Sequence, residues 1–491
     1  MNKLKKLLLI SILVIIILPM EGRAMRERRV LIIGLEGISP QLLISWMDEG
    51  KLPNLAKISK NGTIVNLTSP LPLVSPVTWA SFSTGKNPGK HGIFGWQQCD
   101  FLTYKTYIPL SKDVKSKTFW EILSEEGKRV IIINAYLTYP PKDINGIIIS
   151  GMPSPFLATY PPELKEEIEK EGYKVEAKGY IVTPKDEFIK DLYDTAEART
   201  KIAIKLMESE SWDLFFILFP EIDRLQHYLW KDVEENTRYK QEVFKYYKFI
   251  DEKVGELVEK ANDATIFIVS DHGFGRSKKR FHVNQWLIKE GYLKLKPTLK
   301  NFVSSLMLEI TSFLKKAGLS EFLLKFSTIF GKGSPKTLEF EIDYESSKAF
   351  TCTFYDTSIY VNPVLEPNER MKIREEIVGK LKKLKDPETN RKVFKEVYRN
   401  SEIYEGPFLN ISPDIILLPN ENYSAVGGFT FSEIFESNYK ETGTHKPGGI
   451  LIVSDKNVRT QGEVSILDIA PTILKLMGVQ IPKDLDGKAL I

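Results

Sequence analysis

Histidine is scarce in this chain, with five among 491 residues, and cysteine is scarcer, with two. Two cysteines cannot build a zinc site on their own, so any metal centre must draw on imidazoles and carboxylates, and whether Cys99 and Cys352 pair is not readable from sequence. Neither sign of charge is in excess: 68 basic against 64 acidic side chains leave +4, too little to indicate a nucleic-acid duplex as partner. There is no low-complexity tract and no obvious repeat. The one long apolar run at the start, Leu7 to Leu18, falls short of the ~20 residues that span a bilayer.

That run follows Lys3, Lys5 and Lys6 and is followed by Pro19 and a small-residue region ending at Ala24. Residues 1–24 have the three parts of a secretory signal peptide, or of an uncleaved anchor if Met20 is recruited. Either reading exports the protein, leaving it extracellular or anchored with its folded domain outside. The rival is that Met25 is the true start of a cytoplasmic protein, because Arg26 to Arg29 lead straight into the first strand.

The length exceeds what one hydrophobic core comfortably supports, so a core with an inserted unit is expected. Strand and helix patterns alternate. Val30–Ile33 runs into Gly34-Leu35-Glu36-Gly37 and an amphipathic stretch, and Arg129–Ile133 follows a helix over 118–126 that closes at Gly127. This alternation predicts an α/β fold with a mostly parallel sheet and helices on both faces. In such sheets chemistry gathers beyond the carboxyl ends of the strands. Three apolar runs end there in acids or histidines: Glu36 after the first, Asp223 and His227 after Leu214–Phe219, and Asp271 and His272 after Thr265–Ser270. Asp223 and His227 share one face if the segment after Pro220 is helical. His445 lies in a glycine-rich loop before Ile450–Val453. Carboxylates and imidazoles so placed suit zinc or manganese, while His282 reads as a packing or capping residue.

Ser75-Pro76 predicts an N-cap and first helical residue, with the helix running to about Thr84 and ending at Gly85. A hydroxyl there faces free N–H groups and the positive end of the helix dipole, which favours a nucleophile and a bound phosphate together. Thr78, inside the first turn, is the competing hydroxyl.

Taken together, Gly34-Leu35-Glu36-Gly37, Ser75 to Gly85 with Lys90-His91-Gly92-Ile93, Asp223-x3-His227, Ser270-Asp271-His272-Gly273 and Gly443-Thr444-His445 resemble the type I phosphodiesterase/nucleotide pyrophosphatase family of the alkaline phosphatase superfamily. The ending from Ser465 to Gly487 is similar to the superfamily's, so the resemblance runs from about Val30 to the last residue. It implies two divalent metal ions, zinc or else manganese, one held by Asp223, His227 and His445 and the other by Glu36, Asp271 and His272. The nucleophile hydroxyl would touch the metals from between them; it maps to Ser75, with Thr78 as fallback. The implied activity is hydrolysis of a small phosphate ester, a phosphodiester or pyrophosphate before a monoester, through a phosphoserine. The alternative is a membrane-associated phosphotransferase acting on an envelope lipid or glycan.

Three departures from the family pattern stand out. Glu36 replaces the usual aspartate, serine replaces the commoner threonine, and Trp96 with Gln97 stands where an asparagine would touch the phosphate. No Cys-x-Pro-x-Arg motif is present, which argues against a sulfatase. The expected division is a core over 26–295 and 441–491, interrupted by a helical lid and α+β cap over 296–440. Within that insertion, residues 301–326 read as two cationic amphipathic helices, fit to cover a site or to lie near a membrane.

Overall fold

The computed structural model describes residues 28–179, 183–235, 237–302, 306, 340–353, 357–429, 434–437, 439–458 and 462–491. The expected signal segment and nearly all of the expected amphipathic helices lie outside these residues. Among the described residues no helix is long and apolar enough to cross a membrane.

A nine-stranded sheet organises the molecule. Its order is Val464–Ser465, Thr63–Thr68, Gly449–Val453, Thr265–Ser270, Val30–Leu35, Leu214–Phe219, Val130–Ile133, Gly146–Ile149 and Thr159–Tyr160. The five strands from Thr265–Ser270 to Gly146–Ile149 are parallel, and antiparallel strands flank them on both sides. Val30–Leu35, Leu214–Phe219 and Thr265–Ser270 are buried at every position, the outcome that unbroken apolar runs predict for strands covered on both faces. Alternate side chains go to opposite cores. Leu31, Ile33 and Leu35 meet helices Lys185–Ser209, Glu221–Glu234 and Arg238–Ala261, whereas Val30 and Ile32 meet Ser75–Thr84, Phe119–Glu125 and Ile469–Leu476.

All ten residues of the Ser75–Thr84 helix are buried. Gly34 makes room for it: a Cβ there would lie 2.9 Å from the Trp79 ring and 2.6 Å from Leu218. The expected cap is displaced by one residue. Val74 holds the N-cap position, its carbonyl accepting from the Val77 and Thr78 N–H groups, and Ser75 is the first helical residue. Pro76, now second, still lies in the first turn, where its missing N–H costs nothing. Gly85 closes the helix at φ 64°. Its carbonyl accepts from Asp486 N, whose carboxylate in turn takes Asn87 N at 2.8 Å and pairs with Lys90.

A second, four-stranded sheet, Ala349–Phe350, Ser358–Val361, Ile415–Pro419 and Phe394–Arg399, packs with helix Pro367–Lys383 around a separate apolar cluster. A third sheet links the parts, because Gly273–His282 pairs with Asn422–Val426, Phe435–Glu436 and Gly443–Lys446. Cys99 and Cys352 form a disulfide, tying the Gln98–Tyr107 hairpin to the second sheet. Lys279 Nζ bonds both carboxylate oxygens of buried Asp386 at 2.8 Å. His282 precedes helix Val283–Lys289 without capping it; it packs, fully buried, beside Glu436.

Candidate metal centre and active site

Strand register brings the predicted residues to one edge. Leu35 lies level with Phe219 and Gly34 with Val269, so Glu36, the Asp223 helix and the Asp271-His272 pair leave the sheet side by side. The Gly449–Val453 strand runs the other way and begins at that edge, and His445 arrives on the strand before it, paired with Phe274. Gly37, at φ 65°, makes the tight turn, and a Cβ there would sit 2.7 Å from Asp223 Oδ1 and 3.0 Å from His272.

The structure brings all eight candidate residues together. Asp223, His227 and His445 form one donor group and Glu36, Asp223 and His272 another, with the donor atoms of each group within 4.8 Å of one another. Asp223 therefore belongs to both. Ser75 Oγ donates to Glu36 Oε1 at 2.5 Å, and Tyr136 OH donates to the same oxygen at 3.1 Å. The Thr78 hydroxyl, one helical turn on, donates to Asp271 Oδ2 at 2.5 Å. Gly37 N–H donates to the other Asp271 oxygen at 3.3 Å.

The donor set fits divalent cations. His227 Nδ1 lies 3.1 Å from the Gly443 carbonyl and His445 Nδ1 2.6 Å from that of Leu73, so each Nδ1 carries a proton. The two Nε2 atoms then face each other 2.9 Å apart, with Asp223 Oδ1 3.2 Å from His445 Nε2; burial acts to lower His445, but Asp223 outweighs it and holds that imidazole above its ordinary value. Glu36 Oε2, Asp223 Oδ1 and His272 Nε2 are buried without a hydrogen-bond partner. Such groups are costly unless a cation or proton satisfies them.

The electrostatics divide the carboxylates. Burial, then the negative charges of Asp223 and Asp271, push Glu36 well above the usual range. Burial likewise raises Asp271 to about 7, against the Thr78 bond. Burial also acts to raise Asp223, but the imidazoles of His227 and His445 outweigh it and hold that carboxyl below its ordinary value. His272 is pushed well down, by burial and then by His445.

Sequence reasoning missed Arg224 and Tyr136. Arg224 Nη1 donates to Asp223 Oδ2 at 3.0 Å, Nε to Glu176 at 2.9 Å and Nη2 to Tyr136 OH at 3.3 Å. Arg224 followed Asp223 in plain view, but nothing local in the sequence ties Tyr136 to Glu36. His91 serves structure: Ile93 N–H donates to its Nδ1, its Nε2 lies 2.9 Å from Ser81 Oγ, and burial lowers it to about 3. A cavity of about 490 Å³ opens in front of Ser75, His227 and His445, with Trp96, Gln97 and Arg224 in its wall.

Fold and site define an alkaline-phosphatase-like protein. A Sinorhizobium meliloti phosphonoacetate hydrolase bound to phosphonoformate superposes with a TM-score of 0.60 at 15% identity, over 92% of this chain and 96% of that one. The alkaline phosphatase PafA gives 0.59 at 14%, over 94% and 98%. An inactive form of murine ectonucleotide pyrophosphatase/phosphodiesterase 5, solved with AMP, gives 0.53 at 14%, also over 94% and 98%. More narrowly, residues 30–447 match the model of the type I phosphodiesterase/nucleotide pyrophosphatase family, and the chain belongs to that family. A 2,3-bisphosphoglycerate-independent phosphoglycerate mutase of Escherichia coli is 45% identical over 47 residues, a match spanning 10% of this chain and only 9% of that protein.

Proposed function

We propose that the protein is an exported metal-dependent phosphoester hydrolase that cleaves phosphodiester or pyrophosphate bonds through a phosphoserine on Ser75. The observation that carries this reading is the Ser75 hydroxyl, buried at a helix start, bonded to Glu36 and open to the cavity between two groups of metal-type donors. Asp223, His227 and His445 would hold one ion, and Glu36, Asp271 and His272, with Asp223 close by, the other; zinc suits this nitrogen and oxygen set. Bound ions would supply Lewis-acid polarisation of the phosphoryl oxygens and a lowered pKa for the nucleophile.

The chain's own residues do the rest. Once ionised, Glu36 Oε1 takes the Ser75 proton along the existing hydrogen bond, freeing an Oγ lone pair for phosphorus. The Oγ–P bond forms as the ester P–O bond breaks and the leaving oxygen departs, protonated by solvent; water then attacks phosphorus, the Oγ–P bond breaks, and the proton on Glu36 returns to Ser75 Oγ as the phosphorylated product leaves. Tyr136 holds Glu36 Oε1 in place, while Thr78 and the Gly37 N–H fix Asp271. In this reading the core of 26–295 and 441–491 carries these residues, and described residues of the 296–440 insertion, among them Leu418 and Val426, wall the cavity in front of them.

Export is supported by the lysine-then-apolar start and by the Cys99–Cys352 disulfide, a bond that persists in oxidising compartments. Native protein beginning near residue 25 and fractionating outside the cytosol is the expected result; an unprocessed cytosolic form refutes export. For the chemistry, acid-quenched protein incubated with bis(p-nitrophenyl) phosphate should carry a p-nitrophenylphosphoryl group on Ser75 by mass spectrometry, one p-nitrophenolate having left. That group on Thr78, or on neither residue, refutes the assignment.

A further inference from the structure

The cavity is larger and greasier than a phosphoryl group requires. At about 490 Å³ it lies within the ~300–1,000 Å³ typical of small-molecule sites. Away from the donor groups its wall is apolar, with Leu71, Leu73, Ile108, Met152, Leu418 and Val426 facing it. Leu71, Leu73 and Met152 are only partly buried and Ile108 is 50% exposed, so a ligand covering them would remove apolar surface from water. Leu418 and Val426 come from the second and third sheets, so separate parts of the fold build one apolar wall.

The two arginines of the wall are committed to carboxylates, while Lys446 also faces the cavity. Arg224 is engaged by Glu176 and Asp223, and Arg280 donates to Glu441 at 2.6 Å. Trp96 occupies the place of the family's phosphate-touching asparagine and packs edge-on against Tyr136, and the Tyr423 hydroxyl is held by Asp386 and Thr389.

We propose that the substrate is a phosphoester with a bulky apolar ester arm, which fills this cavity while the phosphoryl group meets Ser75. The proposal rests on the hydrolase reading above and names its substrate class. Zinc-loaded full-length protein would be assayed on methyl, butyl, octyl, phenyl and thymidine 5′ esters of p-nitrophenyl phosphate. The expected result is a kcat/KM that rises about three- to fourfold per methylene until the cavity is full, and a slope that Ile108→Asp flattens. Ile108 is exposed enough that this variant folds. Phenyl surpassing butyl assigns an aryl arm, and the reverse assigns an alkyl arm. A flat alkyl series, or a thymidine ester preferred to all others, overturns the proposal. Calorimetry with octylphosphonate against methylphosphonate reads the cavity without turnover, and equal affinities also overturn it. Octylphosphonate preference with no hydrolysis of any ester leaves the cavity assignment standing and removes the hydrolase reading instead.

Discussion

The two donor groups share Asp223 and little else. In Asp223, His227 and His445 the histidines are partly exposed and line the cavity, whereas Glu36, Asp223 and His272 are all buried. The outer group has two imidazoles and one carboxylate already ionised by them; the inner is rich in carboxylates that burial burdens with protons. Similar ligands in different surroundings thus lay the proton that a cation must displace on an imidazole in the outer group, where Asp223 outweighs burial and raises His445, and on buried carboxylates in the inner.

Removing the reaction's centre should have the largest effect. Ser75→Ala is expected to lower kcat on bis(p-nitrophenyl) phosphate by about 10³-fold or more, since the covalent step disappears. Thr78→Ala should cost no more than about 100-fold, the worth of one charge-assisted hydrogen bond. A larger loss in Thr78→Ala than in Ser75→Ala would show that the hydroxyls have been assigned the wrong way round.

Metal content separates the groups next. Asp223→Ala, which strikes both, should leave the protein nearly metal-free by plasma mass spectrometry, while His227→Ala should lose only the outer ion. Full loss in His227→Ala would mean that the two groups bind as one unit.

Protonation sharpens the contrast further. Asp271, raised to about 7 in the fold against ~3.9 unfolded, makes the native metal-free chain bind the extra proton between those values. Its contribution to stability is therefore full at low pH and lost as pH rises through about 7, on the order of a few kcal/mol. Metal-free protein should lose stability against an Asp271→Asn variant as pH rises from 5 to 8, and metal should reverse the trend. Parallel denaturation midpoints across that range would refute it. The smallest effect is expected from Gly37→Ala, roughly 1–3 kcal/mol of strain at φ 65° together with a crowded Asp223 and His272. Unaltered thermal stability and metal affinity would show that the turn relaxes freely.

The sequence was most informative where chemistry follows a strand end. Glu36, Asp223 and Asp271 each come after an apolar run whose β-branched and aromatic content marks it as a buried strand, so their common edge could be inferred once the sheet was taken as parallel. Legibility ended where neighbours are set by strand order across the sheet. Tyr136 reaches Glu36 because Val130–Ile133 lies two strands from Val30–Leu35, and no local pattern encodes that. The Ser75 cap was misplaced for a similar reason: a helix end is chosen by competition, and Glu36, 39 residues away, binds the hydroxyl that the local pattern gave to the helix's own N–H groups. Cys99 and Cys352, 253 residues apart, are joined by the packing of the hairpin against the second sheet.

The bond between His445 and the Leu73 carbonyl spans 372 residues. At about 5–20 residues per second a ribosome needs roughly 20–75 s to cover that stretch. Through that interval Glu36 and Ser75, and later Asp223 and Asp271, exist without the imidazole that completes the outer group. The centre is therefore assembled late, after most of the chain has been made. Ions bound there would therefore be taken from the surroundings in which the finished protein folds, so the supply of metal in that compartment, as well as the ligands, would bear on which ion is held.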